Sequence, residues 1–114
     1  MAIRRANPNL ESHDLAAARE FYGGFLGFDV AMDEPGFMMF ASPSNPTAQI
    51  TVGSARGVAE ARVTVEVSDV DALYAEARRR GLEVVYPLTD EPWGVRRFFV
   101  RDPDGVVINV ATHS

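Results

Sequence analysis

The sequence predicts an α+β domain built from two βαβββ units, and three observations carry that prediction. Asn7 to Asp14 and Arg62 to Asp69 both run as short alternating segments that end in Asp. Each opens an amphipathic, helix-like stretch closed by Gly. Each such stretch is followed by three apolar segments with turn-forming residues between them. A duplicated unit of this length implies two copies, about 5–53 and 60–113, packed in one domain with a shared cleft. Function is expected in that cleft.

In the first opening strand, alternation places Pro8 and Leu10 on one side and Asn7, Asn9 and Glu11 on the other. In the second, Val63, Val65 and Val67 face one way and Arg62, Thr64 and Glu66 the other. The apolar faces are expected to meet helices and the polar faces something wetter. After Asp14, a good N-cap, the positions Leu15, Ala18, Phe21 or Tyr22, and Phe25 recur at helical spacing. After Val67, Ser68 and Asp71 resemble a capping box, and Val70, Leu73 and Ala77 form the buried stripe. Arg78, Arg79 and Arg80 fall in the last turn, where positive charge suits the helix dipole, and Gly81 ends it.

The remaining strands are expected at Phe28 to Met32, Phe37 to Ala41 and Ala48 to Val52, then Glu83 to Tyr86, Arg96 to Arg101 and Val106 to Thr112. Gly53 to Gly57 reads as the linker between halves. Asp102-Pro103-Asp104-Gly105 has the residue order of a type I turn, with Gly free to adopt the left-handed conformation. A calcium loop needs more oxygen ligands than it carries.

Composition narrows the function. With 114 residues, 46% hydrophobic and 24% charged, the chain suits a single soluble globular domain. MAIRRANPNL has no apolar run of the signal-peptide kind, and no segment approaches a membrane span, so a cytoplasmic address and no membrane partner are expected. The absence of cysteine excludes disulfides and thiolate chemistry. A net charge of −5, with no lysine, argues against nucleic acid and suits a neutral or cationic small molecule.

The doubled unit, the Asp before each helix, Phe21-Tyr22 with Leu26-Gly27-Phe28, Pro92-Trp93-Gly94, and Phe99 through Gly105 together resemble the vicinal oxygen chelate superfamily. That group comprises glyoxalases, extradiol dioxygenases, fosfomycin-resistance enzymes and bleomycin-resistance proteins. The resemblance runs from Asn7 to Thr112. It implies paired curved mixed sheets that form a cup, with helices on the outer faces. In the family's enzymes His, Glu or Gln side chains hold a divalent metal in that cup. At the matching positions this chain has Asn7, Arg62 and Asn109, with Gln49 as the one plausible ligand. One amide cannot hold a catalytic metal and a guanidinium repels it, so neither metal nor cofactor is expected.

The resemblance then points to the bleomycin-resistance type, which binds a drug unchanged as a homodimer. The expected ligand contacts are Asn7, Asn9, Glu11, Phe40, Gln49, Arg62, Glu66, Trp93 and Asn109. Trp93 would stack on a planar ligand, and Phe37 to Phe40 would supply an apolar wall, half of it turned into the core. His13 and His113 are expected on the surface, past the ends of their strands. The alternative is a glyoxalase-like or dioxygenase-like lyase or isomerase on a small oxygenated substrate, either with Gln49 and Glu11 or Glu66 holding a metal in an unfamiliar arrangement, or metal-free, with Glu11 and Glu66 as an acid–base pair or Glu66 as base and Arg62 stabilising an enolate.

Overall fold

The structure, a computed structural model, describes residues 1–54 and 60–113. It is mixed α+β and divides into two units, Asn7–Arg62 on the one hand, and Met1–Ala6 with the residues from Val63 onward on the other. Strand β1 (Ile3–Glu11) begins four residues ahead of the predicted segment and passes through both.

In the unit Asn7–Arg62, β1 is followed by helix α1 (Leu15–Ala18), which continues as a π-helical segment, Arg19–Phe25. Strands β2 (Asp29–Glu34), β3 (Phe37–Ala41) and β4 (Gln49–Gly53) complete it. Their order is β2-β3-β4-β1, antiparallel except for the parallel pair β1 and β4. Asp14 caps α1 by accepting from the Ala17 amide at 3.0 Å, as predicted. The π winding alters the expected stripe. A wider turn carries Tyr22 into the core with Leu15 and Ala18, and leaves Phe21 and Phe25 exposed. Met38, Phe40, Ile50 and Val52 meet them from the sheet.

The other unit repeats this plan with β5 (Val63–Val67), α2 (Val70–Arg79), β6 (Val84–Glu91), β7 (Val95–Arg101) and β8 (Val107–His113). Here β5 pairs parallel with β8, and β7 and β6 follow antiparallel. Val67, Val70, Ala77, Phe98 and Val110 form its core, with Leu73 and Tyr74 packed on it. Each large aliphatic or aromatic side chain removed from water there is worth about 1.5–3 kcal/mol.

The cap of α2 is Asp69, which accepts from the Ala72 amide at 3.0 Å. Ser68 is not the cap, because its hydroxyl accepts from the Ala2 amide at 2.8 Å. Arg79 and Arg80 at the far end are held by Glu76, whose carboxyl they pull down to about 2, while Arg78 donates to the Tyr74 hydroxyl at 3.4 Å. The Asp102 turn forms as predicted, with Gly105 donating to the Asp102 carbonyl at 3.0 Å and adopting φ +85°.

Beyond the early start of β1, β2 takes in Asp33 and Glu34 of the expected turn, and β6 and β8 also run past their expected ends. β6 runs on through Pro87 to Glu91, since it is an edge strand and its ladder slips register around the proline. β8 reaches His113, which therefore lies in the sheet and not beyond it. Of the predicted linker, Gly53 closes β4 and the Ser54 amide donates to Gly36, while Ala55 to Gly57 lie outside the described residues.

Candidate functional site

Because the helix of each unit covers one face of its sheet, alternation decides which side chains occupy the opposite, helix-free face. In the unit Asn7–Arg62 these are Asn7, Asn9, Gln49, Thr51, Phe37 and Met39. Phe40 is not among them. It is 0% exposed, in the helix-side core with its ring 5.3 Å from Tyr22, so the expected ligand contact at Phe40 is corrected in favour of Phe37 and Met39.

β1 also reverses the expected exposure: Asn7 and Asn9 are buried, while Leu10 is partly exposed. Their amides tolerate burial because they bond to one another and to their surroundings. Asn7 Nδ2 donates to Thr51 Oγ1 at 3.1 Å and to Asn9 Oδ1 at 3.3 Å, and Asn9 Nδ2 donates to the Ala61 carbonyl at 2.9 Å. Gln49 turns its Nε2 back onto the Pro46 carbonyl at 2.9 Å. Arg62 and Glu11 are exposed, Glu11 lying 3.5 Å from His13 at the edge of an open cleft of about 480 Å³ lined also by Phe21 and Tyr22.

The helix-free face of the other unit is richer in charge. Register aligns Thr64, Asn109 and Phe99 in one row and Glu66, Ala111 and Arg97 in the next. Asn109 Nδ2 donates to Thr64 Oγ1 at 3.1 Å, but its buried Oδ1 has no hydrogen-bond partner. Glu66 is paired with Arg5 at 2.6 Å and with Nδ1 of His113 at 2.8 Å. Arg5, not Arg62, is thus the cation beside Glu66. Arg97 pairs with Glu91 at 2.7 Å and lies against three rings, Phe99 at 4.9 Å, Trp93 at 5.4 Å and Tyr86 at 5.5 Å. Tyr86 donates its hydroxyl to Glu91 at 3.0 Å. Trp93 sits on the β6–β7 turn, 63% exposed, with one face on Arg97.

Sequence reasoning missed Thr51, Arg5, Tyr86, Glu91, Arg97 and His113. Thr51 was recoverable from the repeat. Asn9 pairs with Thr51 as Thr64 pairs with Asn109, so the repeat-mate of Asn109 is Thr51, and Gln49 lies one pleat away.

A profile of the Glyoxalase/Bleomycin resistance protein/Dioxygenase superfamily matches residues 9–110. The chain belongs to that superfamily. Its structure aligns with methylmalonyl-CoA epimerase from Mycobacterium tuberculosis at TM-score 0.78 and 21% identity, covering 98% of this chain and 89% of the other. A superfamily member from Vibrio splendidus 12B01 aligns at TM-score 0.72 and 16% identity, over 97% and 99%. A variant of Streptomyces coelicolor methylmalonyl-CoA epimerase in complex with 2-nitronate-propionyl-CoA aligns at 0.73 and 21%, over 99% of each chain. At these identities the likeness is one of fold. No curated protein matches the chain significantly.

The metal chemistry of the superfamily does not fit the side chains at hand. Asn7 and Asn109 offer only neutral amide oxygens, weak ligands for a divalent ion, Arg62 brings a positive charge, and the Glu66 carboxylate is already paired with Arg5. Among the described residues no three His, Cys, Asp or Glu side chains come together to hold a cation.

Proposed function

We propose that this chain binds a small, partly aromatic, neutral or cationic molecule and releases it unchanged, in the manner of the bleomycin-resistance branch of its superfamily. The observation that carries the reading is the Asn109 side chain, whose Oδ1 is buried without a hydrogen-bond partner on a helix-free face. An acceptor left so costs about 1–3 kcal/mol, which a ligand N–H would recover. Trp93 and Tyr86, gathered around Arg97, supply aromatic surface beside it, and Glu66 of the same unit and Asn7, Asn9, Glu11, Gln49 and Arg62 of the unit Asn7–Arg62 are the proposed polar contacts. The net charge of −5 favours a cationic guest. The side chains at the family's metal positions support binding without a metal or other cofactor.

The reading includes a homodimer in the cytoplasm. Phe21, Phe25 and Leu26, exposed with Val30 and Met32 of β2, form the kind of apolar surface that a partner subunit covers.

Calorimetric titration with bleomycin and with planar cationic antibiotics tests the proposal. One site per subunit is expected, with the ligand recovered intact and the affinity about tenfold weaker in Asn109→Ala, the loss of one hydrogen bond. Absence of heat with the whole panel would reject it.

A further inference from the structure

The helix-free face of β5 and β8 holds a second buried acceptor besides Asn109 Oδ1. Among the described residues, Glu66 Oε2 is also buried without a hydrogen-bond partner, and so is one donor, Arg5 Nε. Glu66 is 9% exposed and Asn109 8%. Arg5 and His113 lie within ion-pair distance of Glu66 Oε2, yet neither directs an N–H along a hydrogen bond to it. Asn109 stands opposite Thr64, two residues along β5 from Glu66, so Asn109 and Glu66 are diagonal neighbours, about 7–8 Å apart. A planar nitrogen that carries two hydrogens can donate one to each of two such oxygens. Glu66 Oε2 with Arg5 Nε adds an acceptor and a donor on adjoining side chains, the complement of the N–H and C=O of one primary amide.

Local charge favours a neutral donor. Two guanidiniums, Arg5 and Arg97, stand against two carboxylates, Glu66 and Glu91, so these pairs carry no net charge. The chain's charge of −5 acts at a distance, whereas a cation seated at Glu66 would meet Arg5 at close range. The Trp93 ring already has the Arg97 guanidinium against it, so its π density serves a cation that is in place. In the row Glu66, Ala111 and Arg97, Ala111 supplies only a methyl between two long side chains, and two strand spacings, about 10 Å, separate their backbones. That span suits one aromatic ring with its substituent. We propose, building on the binding function above, that this face recognises a neutral primary carboxamide carried on an aromatic ring. The amide nitrogen donates to Glu66 Oε2 and Asn109 Oδ1, the amide oxygen accepts from Arg5, and the ring lies over Ala111 toward Arg97 and Trp93.

Benzamide, N,N-dimethylbenzamide, benzoate and benzamidinium share one ring and differ in the group presented to Glu66 and Asn109. NMR titration of the intact protein with each ligand ranks their affinities without depending on the folding of any variant. Benzamide is expected to bind tightest, about tenfold or more ahead of N,N-dimethylbenzamide, which has lost both N–H donors. The Asn109 side-chain amide and the Trp93 indole N–H are the resonances expected to move. Equal binding of N,N-dimethylbenzamide, tighter binding of benzoate or benzamidinium, or no binding by any of the four overturns the proposal. Asn109→Leu, close in shape but without the acceptor, should reduce the preference for benzamide, and a folded variant that keeps it in full would equally overturn it. Heat with the antibiotic panel but no discrimination among the benzamides sinks this inference alone, whereas silence from both sinks the binding function with it.

Discussion

At the scale of the residue, what a side chain faces decides its role more than its chemical type does. Arg96-Arg97-Phe98-Phe99 places one arginine and one phenylalanine on each face of β7. Arg96 reaches Asp71 of the helix at 2.7 Å and Asp90 at 3.0 Å, whereas Arg97 lies among rings on the opposite face. Arg97 is four-fifths buried and Glu91 more so, which makes their pair costly to break from one side. Glu91→Gln is expected to cost about 3 kcal/mol, since it leaves the guanidinium without a counter-charge, and urea denaturation measures it. Phe40→Ala should cost about 3–5 kcal/mol by the same measurement, because Phe40 is a core residue. A loss under about 1 kcal/mol there would mean that the ring is not packed behind the sheet.

At the scale of the element, the two helices are opened alike and closed differently. Asp14 and Asp69 each accept one amide, and replacing either by Ala should cost about 1 kcal/mol. Ser68→Ala should leave the cap of α2 intact, a result that hydrogen exchange at the Ala72 amide would register. At the other end of α2, Glu76 has a folded pKa below the ordinary 4.5, at about 2. A depressed carboxyl contributes fully above the unfolded value, so the stabilisation from Arg79 and Arg80 persists above about 4.5 and disappears as pH falls through about 2. The group is exposed and screened by water, so the effect is small. The melting temperature of Glu76→Gln should match the wild type near pH 2 and fall below it at neutral pH.

At the scale of the whole molecule, ligand binding and assembly are the expected readouts. A ligand present at about a hundred times its dissociation constant should add about 2.7 kcal/mol to stability, visible as a raised melting temperature. If the proposed homodimer forms through this surface, Phe25→Glu should shift its sedimentation toward the monomer, because Phe25 is three-quarters exposed and the introduced carboxylate would have to be buried in the apolar contact. Among the described residues no helix is long and apolar enough to cross a membrane.

The sequence by itself determined the mixed α+β class, the repeated strand-helix-three-strand order, the Asp14 cap and the Asp102 turn. Each is local, written in alternation, turn chemistry or capping over a few neighbouring residues. Much of the candidate site was legible too, since Asn7, Asn9, Glu66 and Asn109 follow from strand parity. Only the tertiary structure decided which partners those groups have: Arg5 beside Glu66, His113 brought into the sheet, Thr64 bonded to Asn109, and Phe40 turned into the core. Parity divides a strand into two faces without naming the one that a helix covers, and pairing between strands far apart in the chain is a matter of register, which no local pattern encodes.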